Sequence, residues 1–146
     1  MQRHHLLPRQ LLSARCFGTL FDYLGCDRVG FDDFRRNGLL LPCTDRAAMR
    51  IALPLHRGPH RSYNAMVFER VGQIEGGWAA RRLRAPDGAL EEALMRLALL
   101  QRGLRRRLLA DRRRLLLNRA DPLGAGRDFT ELDAMVDLLW RGTAER

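Results

Sequence analysis

The chain has 146 residues, a length that suits one compact domain and is short for two. Hydrophobic residues make up 46% and charged residues 29% of it, which excludes a disordered tail, and no apolar run reaches the roughly 18 residues that span a bilayer. Its 26 basic residues, all Arg, outnumber 17 acidic ones and give a net charge of +9. This charge favours a polyanionic partner, with nucleic acid ahead of a membrane surface.

The first half of the chain predicts a strand, an amphipathic helix, a tight turn, a second strand and a short helix. We expect these elements at residues 5–7, 9–24, 37–38, 39–41 and 45–51. Apolar residues recur with a helical period up to Gly25, and Asn37-Gly38 is a typical tight-turn pair. The sequence therefore predicts a short β-hairpin near the start of the chain.

The rest of the chain predicts helices almost throughout. A helix begins at His60, and its apolar face is formed by Tyr63, Val67, Val71 and Ile74. Gly76-Gly77 predicts a break, so one domain of residues 1–146 divides into a core, 1–77, and an Arg-rich helical extension, 78–146. In the extension we expect a long helix capped by Asp87, with leucines at every third or fourth position, and a last helix from Thr130. The predicted class is α+β, mostly α, with the C-terminal helices bracing the hairpin.

All four histidines fall in two groups, His4-His5 and His56-x-x-x-His60. Neutral imidazole is a common ligand for zinc and other divalent transition metals, so this grouping predicts a metal site. Pro59 favours a position for His56 just before the helix that begins at His60. The three cysteines form no CxxC pair, which argues against a cysteine zinc site.

His4 and His5 cannot comfortably bind one ion from the same strand, because consecutive strand side chains point to opposite faces. We therefore expect one ring to bind the ion and the other to act as general base, for which an imidazole with a pKa of roughly 6.5 is suited. A divalent ion can polarise a phosphate oxygen and stabilise the leaving oxyanion. One ion, one base and a basic surface together predict phosphodiester hydrolysis.

Three segments in this order resemble a known family: His4-His5-Leu6-Leu7-Pro8, then residues 37–42 (NGLLLP), then residues 53–64 (LPLHRGPHRSYN). They are similar to the AHH nucleases of the HNH/endonuclease VII superfamily. The resemblance covers about residues 3–75 and implies a ββα-metal (treble-clef) core made of the hairpin and a helix. Many members are toxin modules of bacterial polymorphic toxin systems. Arg3 stands where the family name leads one to expect Ala.

The resemblance implies a role for each motif residue. His4 would contact the metal, His5 would be the general base, and His60 and His56 would be further ligands on the side of the helix. Asn37 would correspond to the central Asn of the HNH pattern, which orients the base through hydrogen bonds.

Two alternatives for the ligand set stay open. Asn64, four residues after His60, could bind the ion instead of His56, since related members use Asn there. The family is also described with only the first His on the metal and the other three activating water. The cofactor implied is one divalent ion, and Zn, Mg, Mn and Ni are all compatible with the sequence.

Residues 81–119 hold 12 Arg against 4 acidic residues and include two Arg triplets, 105–107 and 112–114. Such a helix can be a solvated surface, a contact with the phosphate backbone, or the docking site of an acidic inhibitor protein. The arginines that we predict to contact nucleic acid are Arg57, Arg61, Arg105, Arg106 and Arg107.

The predicted function is metal-dependent endonuclease activity, on DNA rather than RNA. The expected setting is the toxin domain of a secreted antibacterial effector, cytoplasmic in the producer until export and acting in the cytoplasm of the target cell. An acidic immunity protein is the expected inhibitor, and no membrane partner is expected. Two other functions fit the same residues: a non-catalytic nucleic-acid-binding module with a structural zinc, and a helical interaction protein with an acidic partner.

Overall fold

The computed structural model describes residues 1–124 of the chain. Its elements are β1 (Gln2–His5), α1 (Gln10–Ser13), α2 (Gly18–Leu24), α3 (Cys26–Val29), α4 (Phe34–Asn37), β2 (Gly38–Leu41), α5 (Asp45–Ile51), α6 (Arg61–Arg81) and α7 (Pro86–Leu108). This part is mostly helical and contains one antiparallel strand pair, which confirms the α+β class. The helix predicted from Thr130 lies outside the described residues.

The two strands pair antiparallel along their whole length, from Gln2 opposite Leu41 to His5 opposite Gly38. The sequence predicts the first strand at residues 5–7, but the observed strand β1 ends at His5. The tight turn predicted at Asn37-Gly38 is wrong, because Asn37 ends α4 and is fully buried. A Cβ at Gly38 would collide with the ring of Phe34, so this glycine permits close packing rather than a turn.

The helix predicted over residues 9–24 is divided. A 3-10 turn at Arg15–Phe17 separates α1 from α2, and the backbone of Ala14 is extended between them. The apolar side chains that predicted one helix are nevertheless buried in the core, because the separate turns still direct them inward. The short helix α5 is confirmed, and the hydroxyl of its N-cap Thr44 accepts a hydrogen bond from the backbone N–H of Ala47 at 3.3 Å.

The long helices α6 and α7 pack against each other and form the scaffold for the chain's first half. The helix break predicted at Gly76-Gly77 is wrong: α6 continues through both glycines to Arg81. Its buried face gains Trp78, one turn beyond Ile74, and this burial outweighs the low helix propensity of glycine. The sequence predicts Asp87 as the N-cap of α7, but the N-cap residue is Ala85, and Asp87 lies in the first turn of the helix.

In the first turns of α7, the buried face is shifted by one residue from the predicted row of leucines. Ala89 and Ala93 face the core there, whereas Leu90 and Leu94 are only partly buried. Small residues at these positions let the two helix backbones approach closely. No helix in residues 1–124 combines the length and the apolar character needed to cross a bilayer.

After α7 the chain turns back without forming another helix up to residue 124. Leu117 is buried against the core, and the carboxylate of Asp121 is buried with it. Asp121 accepts a hydrogen bond from the backbone N–H of Leu55 at 2.7 Å. Residues 109–124 therefore lie against the loop between α5 and α6, which carries His56.

Candidate metal centre

Three histidines from separate parts of the fold meet at one point. His4 comes from β1, His56 from the loop after α5, and His60 is the N-cap residue of α6. The ring centroids of His4 lie 5.2 Å from His56 and 5.6 Å from His60, and the last two are 4.6 Å apart. One ring nitrogen of each histidine lies within 4.8 Å of the others, so the three can share one metal ion.

The position of His4 follows from strand alternation. Its ring faces the protein interior and is 3% exposed, whereas its neighbour Arg3 is exposed. Tyr63, on the first turn of α6, packs edge-to-face against His4 at 4.9 Å. The Tyr63 hydroxyl donates a 2.6 Å hydrogen bond to the carbonyl of Leu6, which ties β1 to α6. The strand and the helix are thus fixed to each other beside the ligand atoms.

His56 has no regular element of its own, and hydrogen bonds hold it instead. Its backbone N–H donates to the carbonyl of Pro42 at 2.7 Å, just beyond β2. Its ring Nδ1 lies 2.9 Å from Oε1 of Gln2, which shares the strand face of His4. When Nδ1–H donates to this oxygen, the lone pair of Nε2 is left for a metal ion.

Burial favours the neutral form of the three rings. It lowers the pKa of His4 from 6.5 to about 3, with further lowering by the charges of His56, His60 and His5. Burial also lowers the pKa of His56 and of His60. Neutral imidazole is the form that binds a metal ion.

Two of the ring nitrogens have no hydrogen-bond partner in the described part of the chain. Nε2 of His4 and Nδ1 of His60 are both buried and unpaired. Buried polar atoms are normally satisfied, and leaving one unpaired costs about 1–3 kcal/mol. A divalent cation bound by these nitrogens would satisfy both, so the residues present fit the implied cofactor.

A comparison with protein families identifies the chain. The profile of AHH, a nuclease family of the HNH/ENDO VII superfamily with conserved AHH, matches residues 1–104. The match spans well over half of the sequence and includes all three clustered histidines. The chain belongs to the AHH nuclease family. No curated protein and no solved structure matches it.

The family's namesake motif reads Arg3-His4-His5 in this AHH nuclease. The Arg3 guanidinium lies 5.4 Å from the centroid of the Phe34 ring, a cation–π arrangement outside the histidine group. By strand alternation, Arg3 and His5 share the face opposite to His4. An arginine in place of alanine is therefore accommodated without entering the metal centre.

His5 is half-buried and is not a member of the three-histidine group. It pairs with Gly38 of β2. Burial is the main cause of the lowered pKa of His4, the charges of His56 and His60 follow, and the charge of His5 lowers it further. The structure therefore places His5 near the metal centre on the other face of the strand. Its role as general base remains a prediction.

Asn37 makes a different set of contacts from the set that the HNH pattern implies. Its Oδ1 accepts from the N–H of Leu7 at 2.8 Å and from Nε2 of Gln101 at 3.3 Å. Its Nδ2 donates to the carbonyls of Leu7 and Phe31 at 3.1 and 3.2 Å. Among residues 1–124 none of these bonds reaches the ring of His5, so Asn37 fixes the chain that follows His5, and its role in orienting a general base remains a prediction.

The other predicted site residues occupy three different environments. The side chain of Asn64, the alternative ligand, donates to Oε1 of Gln10 at 3.1 Å, whereas His56 lies in the ligand group. The Arg57 guanidinium is 3.3 Å from the carboxylate of Asp45. Arg61 is exposed at the first position of α6, directly after His60.

The three arginines of the Arg105–Arg107 triplet lie in different environments, and the contact of Arg105 with nucleic acid remains a prediction. Nη2 of Arg105 donates to the carbonyls of Arg35 and Gly38 at 2.7 and 2.8 Å. Arg105 therefore joins α7 to the start of β2, whereas Arg106 and Arg107 are exposed. The binding of nucleic acid by these two arginines remains a prediction.

The sequence analysis missed three residues that hold the loop of His56 in the candidate metal centre. Gln2 bonds to the ring of His56, and Asp121 holds the backbone of Leu55, the residue before it. On the other side, Nδ2 of Asn118 donates to the carbonyl of Arg57 at 2.6 Å. These partners are 54 to 66 residues apart in sequence, so no local pattern identifies them.

Replacing Gln2 by alanine should weaken metal binding by about 10–100-fold, as is typical for the loss of a hydrogen bond to a ligating histidine. The reason is that the His56 ring would no longer be held with Nε2 toward the other ligands. The measurement is a competition titration of Zn²⁺ against a chelating dye. Gln10→Ala is the matched control, since Gln10 bonds to Asn64 outside the ligand group. Equal affinities of the two variants would contradict this role for Gln2.

Proposed function

We propose that this AHH nuclease is a metal-dependent endonuclease that hydrolyses phosphodiester bonds, with DNA preferred over RNA. The observation that carries the proposal is the group of three histidines, two of which have a buried ring nitrogen without a partner among residues 1–124, adjacent to a fourth histidine outside the group. Membership of a nuclease family and the net charge of +9 support a polyanionic substrate.

In this proposal Nε2 of His4, Nδ1 of His60 and Nε2 of His56 hold one divalent ion. When bound, the ion supplies positive charge to the phosphate and to the leaving oxygen. Three protein ligands, as in catalytic metal sites, are compatible with an open position for water or substrate. Gln2 and Asp121 keep His56 oriented toward that ion.

His5 is proposed as the general base. It takes a proton from a water molecule whose oxygen forms the new bond to phosphorus, while the bond from phosphorus to the leaving oxygen breaks. The leaving oxygen then takes a proton from solvent, which balances the step. Asn37 contributes by fixing Leu6 and Leu7, the residues directly after the base.

A second candidate function, a binding module with a structural zinc, requires a filled tetrahedral shell. The described residues supply three clustered ligands and no fourth His, Cys, Asp or Glu in the same group. This count favours the catalytic site over the structural one. The helical interaction protein with an acidic partner does not account for three converging imidazoles.

The proposed setting is the toxin domain of a secreted antibacterial effector. It would remain in the producer's cytoplasm until export and act in the cytoplasm of the target cell. The resemblance of the three motif segments to polymorphic toxin modules supports this setting. A nuclease of this kind endangers the cell that produces it. We therefore also propose an inhibitory immunity protein whose acidic surface complements the basic surface of this chain.

A plasmid-nicking assay tests the proposed function. The purified protein should convert supercoiled DNA to open-circular and linear forms, and a chelator should stop the reaction. Adding back Zn²⁺, Mg²⁺, Mn²⁺ or Ni²⁺ separately would identify the active ion, and a structured RNA in parallel would test the preference for DNA. Stable metal binding without cleavage of either nucleic acid would favour the structural-zinc function.

A further inference from the structure

A basic groove begins directly beside the metal centre. Two adjoining cavities of about 440 and 580 Å³ share the residues Ser62, Leu117, Asn118 and Arg119. One wall is the first turn of α6 and the other is the segment that follows α7. The two cavities together form what we call the Arg groove, whose walls include Arg61, Arg113, Arg114 and Arg119.

The Arg groove lies beside the candidate metal ligands because two of its lining residues are the sequence neighbours of His60. Pro59 and Arg61, the residues on either side of His60, both line the smaller cavity. Leu117 and Asn118 form the opposite wall of the same cavity, and the Asn118 side chain donates to the carbonyl of Arg57, the residue after His56. A polymer whose reacting bond lies at the metal centre would therefore extend along this groove.

The charge of the Arg groove favours an anionic polymer. Four arginines line it, and in the described part of the chain only Arg114 has an acidic partner, Asp111 at 3.8 Å. Arg61, Arg113 and Arg119 are exposed and form no ion pair within residues 1–124. Free guanidinium groups at the wall of a groove match phosphate oxygens in charge and geometry.

The backbone of Arg113 gives a second, independent indication. Its φ is 51°, in the left-handed region that residues other than glycine rarely adopt. Strained conformations of this kind persist where the surroundings hold them, and they concentrate at binding sites. Arg113 is also one of the residues that line the larger cavity.

We infer that the Arg groove binds the sugar-phosphate backbone of the substrate on one side of the bond to be cleaved. The groove wall from Arg113 to Arg119 lies outside residues 1–104, the part of the chain that the family profile matches. The inference rests on the proposed nuclease function and extends it by naming where the polymer lies. Contacts of this type are independent of sequence and sensitive to salt.

The test compares two double variants that remove the same charge. Arg61→Gln with Arg119→Gln alters the groove. Arg70→Gln with Arg84→Gln is the control: both residues are exposed, Arg70 lies about 13 Å further along α6, and Arg84 lies beyond the far end of that helix. Anisotropy of a labelled DNA duplex, measured with metal-loaded protein in a His5→Ala background that slows cleavage, gives the affinity as a function of salt. A zinc titration checks that the metal centre is intact in both variants.

The groove variant should bind DNA at least tenfold more weakly than the control, with a salt slope lower by about 1.8 for two lost phosphate contacts. In the cleavage assay the KM of the groove variant should rise and its kcat should stay near that of the wild type.

Equal DNA affinities and salt slopes for the two variants, with a wild type that cleaves DNA, would overturn the inference alone. A wild type that binds through the groove arginines but never cleaves would overturn the proposed function alone. Loss of binding to polyglutamate with unchanged DNA binding would assign the groove to an acidic protein and overturn the inference.

Discussion

Replacing His5 by alanine is expected to reduce DNA cleavage by about 10²–10⁴-fold while the protein keeps its metal ion. His5 lies on the strand face opposite to His4 and outside the ligand group, so its loss removes the proposed base and no ligand. Plasmid cleavage at saturating metal gives the rate. Metal analysis of the same sample gives the occupancy.

His4→Ala is the matched control for this prediction. It removes a buried ligand nitrogen, so both metal binding and cleavage should be lost. If His5→Ala lost the metal and His4→Ala retained it, the two roles would be exchanged. Equal metal loss in the two variants would contradict the division of roles within the motif.

Replacing Asn37 by alanine should lower the free energy of unfolding by about 2–4 kcal/mol, because several buried polar groups lose a partner together. Its amide bonds to the N–H and carbonyl of Leu7, to the carbonyl of Phe31 and to Gln101. Urea unfolding followed by circular dichroism measures the change. Metal affinity should fall with stability, since the chain after His5 is no longer fixed.

Asn64→Ala is the control, because the Asn64 side chain bonds to Gln10 at the exposed surface. We expect a change in unfolding free energy within about 0.5 kcal/mol, and an unchanged metal affinity. A large loss of metal in this variant would make Asn64 the ligand in place of His56. Loss of cleavage in Asn37→Ala with full stability would instead indicate that Asn37 acts directly at the reacting atoms.

The grouping of the four histidines predicts a metal site from the residue types alone, whereas the family resemblance implies which of them are ligands. Adjacent strand residues must diverge, and a histidine just before a helix can meet another at its first turn, whatever the rest of the fold does. Local reasoning also predicted α5 and the buried face of α6.

The errors arose where tertiary packing outweighs a local preference. Asn37-Gly38 has the composition of a tight turn, but burial of the Asn37 amide and of Gly38 against Phe34 places it between a helix and a strand. Two consecutive glycines disfavour a helix, yet burial of Trp78 just beyond them extends α6. The sequence also gives no signal that Arg105 donates to the carbonyls of Arg35 and Gly38.

The loop that carries His56 depends on partners from both ends of the described chain, and this sets an order for folding. Gln2 and His56 are separated by 54 residues, and Leu55 and Asp121 by 66. Closing such long loops is entropically costly, so contacts of this kind form after local helices. During synthesis the ribosome must release residue 121 before the ligand loop can take its final position. We therefore expect capture of the metal ion to complete folding rather than to initiate it, and nascent chains to remain without nuclease activity until that step.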